Sequence, residues 1–207
     1  NRSKQSFVLK DFRHQTVMNG LDTNIFHNRY DKLDFVKNNK NEKIILYVTS
    51  LFNSPLKGSK YFLEIVDRFK EENVRFLVIG LEKDYVLPDN CINVGKVYDQ
   101  ELLANYYSLA DVTLLTSKKE TFSMVVAESL SCGTPVVGFK AGGPESIAIP
   151  EYSSFVDFGK IEILVNSLYQ VLKISKEKKC ISNFSIKKYG AKKMVEEYVE
   201  CYKNILL

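Results

Sequence analysis

The chain has 207 residues, 45% of them hydrophobic and 26% charged, a balance that suits one sizeable globular core with room for an extra terminal element. Its net charge of +4 is spread along the chain, without an arginine-rich arm or zinc-finger spacing, so nothing marks a nucleic-acid binder. Cys91, Cys132, Cys180 and Cys201 lie far apart with no CxxC pair, which argues against a disulfide framework or structural zinc and for reduced thiols in a cytosolic setting.

The opening "NRSKQSFVLKD" has neither a signal-peptide apolar core nor an initiator methionine, and reads as joining the middle of something longer. "TVMNGLDTNIF" (16–26) reads as a short strand running into an Asn-Gly turn. From residue 44 the pattern becomes regular. "IILYVT" (44–49) is expected as a buried strand, and 57–72 as a helix with Tyr61, Phe62, Ile65, Val66 and Phe69 on one face. Strands follow at 74–80 and 91–95, then a helix over 99–110 that Asp99 is placed to cap.

The alternation continues with a strand at 111–116, a helix at 122–132 and a strand at 135–139. A strand at 153–158, a helix at 160–174 and a lysine-rich helical tail over 176–206 complete the chain. No apolar run approaches the roughly 20 residues of a membrane span. Near-continuous apolar strands alternating with helices predict a doubly wound α/β domain, a parallel sheet covered on both faces. Ligands of such sheets bind at the carboxyl ends of the strands, so motifs just after strands are the candidates.

Three motifs meet that condition. "SPLKGS" (54–59) sets Lys57 and Gly58 before a helix N-terminus, where free N–H groups and the dipole favour an anion. A plain turn with a solvated lysine is the simpler reading of those residues alone. No GxGxxG or GxxxxGK[ST] is present, so dinucleotide and P-loop binding are not supported. "KKETFSMVVAES" (118–129) carries Glu120 just before a helix and Glu128 two turns inside it, with Thr121 or Ser123 as possible caps. The alternative makes Glu120 a first-turn residue complementing the helix dipole and Glu128 an exposed surface residue, although Val125, Val126, Ala127 and Leu130 flank Glu128. "CGTPVVGFKAGGPES" (132–146) ends in glycines that either approach a ligand or close a turn. Glu145 there is a ligand contact or a helix-start residue.

Together these motifs resemble the retaining glycosyltransferases of family 4, GT-B fold. Lys-Gly after the first strand, E-x7-E, "CGTPVV" and "GGPE" occur in the family's order and spacing. "VMNGLDTNIF", "FLVIG", "NVGKV" and "YYSLADVTLLTSKKETF" extend the likeness over roughly residues 15–175. The resemblance implies the C-terminal, Rossmann-like domain that binds a UDP- or GDP-sugar. Residues 1–24 would then be an interdomain segment, 25–185 the donor-binding domain and 186–207 a C-terminal helix. The N-terminal acceptor domain has no counterpart here, and neither His14 nor His27 matches that domain's histidine.

By the same resemblance, Lys57 and Gly58 contact the donor diphosphate and Glu128 the ribose hydroxyls. Glu120, with the backbone of Thr121, Phe122 and Ser123, contacts the transferred sugar as the catalytic residue. Lys96 and Val97 lie by the nucleobase. No metal or other cofactor is implied. The expected partners are the nucleotide sugar, the acceptor domain and a glycan or lipid-linked acceptor, in the cytoplasm or at the cytosolic membrane face. Two departures stand out. The usual phosphate-loop Gly-Arg is Thr49-Ser50, and the usual EGFG is "ETFS", so Thr121 and Ser123 replace two glycines. A non-catalytic nucleotide-sugar-binding module and a GT-B epimerase are the competing readings.

Overall fold

In the computed structural model, which describes residues 3–29, 41–174 and 177–206, the β-branched runs lie side by side. β1 (Lys43–Val48), β2 (Val74–Ile79), β3 (Cys91–Gly95), β4 (Val112–Leu115), β5 (Val136–Phe139) and β6 (Ser153–Val156) form one sheet. Its order is β3-β2-β1-β4-β5-β6, and every neighbouring pair is parallel. Parallel neighbours need crossovers, and helices lie in all of them but the β2-to-β3 loop. These are α1 (Ser59–Arg68), α2 (Gln100–Leu109), α3 (Met124–Ser131) and the short α4 (Pro144–Ile147), while α5 (Ile161–Lys173) follows the last strand. The doubly wound α/β expectation is met.

The period of two along each strand divides the core. Ile44 and Leu46 join Leu77, Ile79, Tyr107 of α2, and Val126 and Leu130 of α3. Ile45 and Tyr47 face the other way, onto Phe62, Ile65 and Val66 of α1 and Leu164 and Leu168 of α5. Burial on both faces is why these strands read as unbroken apolar runs. Strand order reverses between β1 and β4, so a crevice is expected beyond their carboxyl ends.

Asp99 caps α2 as expected, its Oδ1 accepting from the N–H groups of Glu101 (2.8 Å) and Leu102 (3.3 Å). Three expectations need correction. The first helix starts at Ser59 and ends at Arg68, not 57–72, because Gly58 before it is left-handed, at φ 67°. Residues 16–26 form no strand. Only Leu21 pairs, donating to the Tyr189 carbonyl (2.7 Å) and accepting from the Ala191 N–H (2.9 Å). A strand needs a partner edge, and this segment meets only the gap between two helices. That gap is the third correction. The lysine-rich tail is α6 (Lys178–Tyr189) and α7 (Ala191–Leu206), broken at Gly190 where Leu21 is laid across. Among the described residues no helix is long and apolar enough to cross a membrane.

Candidate functional site

A parallel sheet puts the loops that follow β1, β3 and β4 on one edge. Every residue expected at the site lies in those loops or on α3, which rises from the last of them. The geometry brings them into two groups.

The first group centres on Lys57. Its loop is fastened to the end of β4, since the Lys57 carbonyl accepts from Thr116 Oγ1 (2.8 Å) and Tyr47 Oη (3.2 Å). The Lys118 N–H donates to the Leu56 carbonyl (2.8 Å), tying the two loops across the switch point. Gly58 is required here. A Cβ on it would lie 2.1 Å from the Thr116 carbonyl oxygen, and its φ of +67° disfavours any L side chain. The backbone thus aims Lys57 over the crevice, and its Nζ meets Glu120 Oε1 at 2.8 Å. Ser117 Oγ donates to the same oxygen (2.8 Å). The candidate phosphate contact and the candidate catalytic carboxylate are therefore one ion pair, both partly shielded, with side-chain exposures of 28% and 14%.

The "GGPE" motif builds the wall behind Glu120. The Glu120 N–H donates to the Ala141 carbonyl (2.9 Å), and its carbonyl accepts from the Gly143 N–H (3.2 Å). Glu145 holds this loop by accepting from the N–H groups of Ala141 and Gly142, both at 2.9 Å. Of its two expected roles, the carboxylate is seen serving the loop backbone, from the first turn of α4.

Neither candidate cap of α3 acts as one. The helix starts at Met124, not at 122, and Ser123 sits at the cap position in the left-handed region (φ 77°) with no side-chain capping bond. It is the one non-glycine residue with positive φ among the described residues. Its hydroxyl is buried without a hydrogen-bond partner. Thr121 is exposed, while Phe122 packs on the core. The left-handed conformation costs an ordinary residue about 1–2 kcal/mol. Glycine would relieve that at a loss of about 0.5–1 kcal/mol in chain entropy. Ser123→Gly is therefore expected to raise Tm by about 1–4 °C in a thermal melt. A lower Tm would show that the serine is not strained there.

The second group lies beside β2 and β3. Lys96 and Val97 line a cavity of about 310 Å³ with Val48, Ser50, Ile79 and Leu103. Lys96 also reaches a neighbouring cavity of about 460 Å³ bounded by residues 50–54, Glu82 and Tyr85. Its ammonium pairs with Glu82, which raises its pKa through that hydrogen bond. Sequence reasoning gave no role to Glu82, Ser117 or Tyr107.

Glu128 lies inside α3, two turns past Glu120 in sequence. It is half-buried, and Tyr107 Oη donates to its Oε2 at 2.9 Å. Burial pushes the Glu128 carboxyl above its usual range, and the Tyr107 hydrogen bond draws it partly back. Among the described residues no group of three or more His, Cys, Asp or Glu side chains could hold a metal ion.

Comparison with known proteins bears on the fold and the family. The chain is 24% identical over 214 residues to N-acetyl-alpha-D-glucosaminyl L-malate synthase of Bacillus anthracis, which covers 93% of the chain and 54% of that protein. Sucrose-phosphate synthase from Thermosynechococcus elongatus superposes with a TM-score of 0.83 at 21% identity, over 99% of this chain and 56% of that one. Anabaena HepE in complex with UDP gives a TM-score of 0.73 at 16% identity, covering 92% and 57%. These likenesses show the GT-B fold, in which this chain supplies a Rossmann-like domain. The chain spans about half the length of the proteins it matches. The family model described as "Glycosyl transferases group 1" matches residues 30–188, most of the chain, and the chain belongs to that family.

Proposed function

We propose that this chain is the donor-binding half of a retaining glycosyltransferase that moves a sugar from a UDP- or GDP-sugar to a glycan or lipid-linked acceptor. The observation that carries the reading is the meeting of Lys57 and Glu120 at the mouth of α3, at the carboxyl ends of β1 and β4. A glycosyl donor leaves behind a diphosphate whose negative charge grows as the bond breaks. A lysine and the free N–H groups of a helix N-terminus stabilise that charge, so no metal is assigned a role.

Glu120, paired with Lys57, faces the transferred sugar. Glu128 takes the ribose hydroxyls, and Lys96 and Val97 border the base. HepE is described in complex with UDP, and with UDP and glucose, which supports a nucleotide-sugar donor for this shared fold. A role in cell-surface polysaccharide assembly, in the cytoplasm or at the cytosolic membrane face, completes the proposal.

Calorimetric titration with UDP and with GDP, in the presence of a chelator, tests it. One of the two should bind, while the 207-residue chain alone transfers no sugar. Supplying the remaining half of the full-length protein should restore turnover, because orienting the acceptor hydroxyl carries roughly 7–11 kcal/mol of a barrier. Transfer by the chain alone, above a Glu120→Gln control, would overturn the half-enzyme reading. Binding that appears only with added metal would overturn metal independence.

A further inference from the structure

We infer that Tyr107 is a positioning residue for ribose recognition, holding one oxygen of Glu128 so that the other is presented to the vicinal diol. The inference rests on the ribose role proposed for Glu128 and assigns a residue to which the sequence motifs gave no function.

Tyr107 is fully buried, so a hydroxyl at the end of its ring must find a partner or cost stability. It finds Glu128 Oε2, at 2.9 Å across the contact of α2 with α3. The tyrosine is itself fixed at its backbone, where its carbonyl accepts from Thr134 Oγ1 (2.5 Å) in the turn before β5. Among the described residues Glu128 Oε1 has no hydrogen-bond partner, yet it is not one of the polar atoms sealed from solvent. One oxygen is clamped from behind and the other left open. A carboxylate held at one oxygen is restricted in rotation, which favours one direction for the other oxygen.

The hydrogen bond has a second effect. Burial favours the neutral acid, which presents fewer acceptors to a diol, and the phenol donor opposes that. The other groups facing this charge are few. Cys132, one turn along the chain from Glu128, feels it, and Arg29 and Lys178 also act on Cys132.

The test uses UDP and GDP, each with its 2′,3′-dideoxy analogue, against the wild type, Tyr107→Phe and Glu128→Gln across pH. Phenylalanine keeps the ring and removes only the donor. Tyr107→Phe should weaken ribonucleotide binding by about three- to tenfold and leave the dideoxy analogue unchanged. It should also raise the pH midpoint below which ribonucleotide affinity is lost, because the ionised carboxylate has lost its support. Substituting 3-fluorotyrosine, a stronger donor, should move that midpoint down, and it supplies a second measurement if Tyr107→Phe does not fold. The outcomes separate cleanly. If Glu128→Gln affects both analogues alike, the ribose reading fails and the positioning role falls with it. If Glu128→Gln is selective for the ribonucleotide while the Tyr107 variants change neither affinity nor midpoint, only the positioning role is overturned. Equal losses for both analogues in Tyr107→Phe, with a lowered Tm, would make the tyrosine structural and overturn it too.

Discussion

Lys57→Ala should lower the affinity for a nucleoside diphosphate by about ten- to a hundredfold and leave that for the bare nucleoside unchanged, as read by calorimetry. A charge-assisted hydrogen bond is worth about 1.5–3 kcal/mol, and on the proposed reading only the diphosphate engages the ammonium. The ion pair with Glu120 adds a finer expectation. In the free protein the lysine already satisfies a carboxylate at 2.8 Å, so an incoming phosphate must share or displace it. Glu120→Gln should then raise diphosphate affinity by about two- to fivefold, the worth of a partly exposed pair, while abolishing the carboxylate's role toward the sugar. Equal losses for nucleoside and diphosphate in Lys57→Ala would remove the lysine from the phosphate site.

The largest effect on stability is expected from Gly80→Ala. Gly80 ends β2 with φ at +106°, and a Cβ there would lie 1.7 Å from the Thr49 carbonyl oxygen. That atom is backbone at the end of β1, held by the Thr49 N–H donating to the Ile79 carbonyl (3.0 Å). Nothing flexible is available to yield, so two adjacent strand ends must separate. The cost should be at least about 3 kcal/mol, seen as a fall in Tm of at least about 6 °C. The same residue borders both cavities beside Lys96, so nucleotide affinity should fall with stability. A melt within about 2 °C of wild type would show that the strand ends are softer than this contact requires.

The sheet and its helices were legible because burial on both faces leaves apolar runs that only a parallel sheet explains. The segments misjudged were those whose shape depends on a distant partner. Residues 16–26 carry strand-like composition, but strand formation is decided by the edge available, and only Leu21 reached one. Gly190 sits among lysines that fit a helix on either side, and the break there is fixed by contact with that same leucine. Ser123 looked like a cap because serine usually is one. It occupies a left-handed position that the family's glycine would take without strain.

At the candidate site, the motifs singled out residues but gave no sign of the side chains they meet. Lys57 and Glu120 are 63 positions apart, and no local rule pairs them. Tyr107 lies inside an ordinary amphipathic helix, where an aromatic on the apolar face reads as core. It is core along its ring, and only its hydroxyl reaches Glu128. Ser117 and Glu82 carried no signal beyond being polar residues after a strand.

The strained serine and the half-buried glutamate share one short helix, and that gives α3 a further property. Ser123 and Glu128 are five residues apart, so the helix sets about 7.5 Å of axial spacing between its mouth and the carboxylate. A helix packed on a sheet does not stretch, and on the proposed reading it acts as a gauge for the nucleotide. The sugar end has no such gauge. On the same reading it is bounded by Thr121 and by the 141–143 loop, which is tethered to Glu120 through two backbone hydrogen bonds. On that reading one half of the donor is measured by a rigid rod and the other by a loop, and substitutions in the loop are expected to change which sugar is accepted while the nucleotide stays in register.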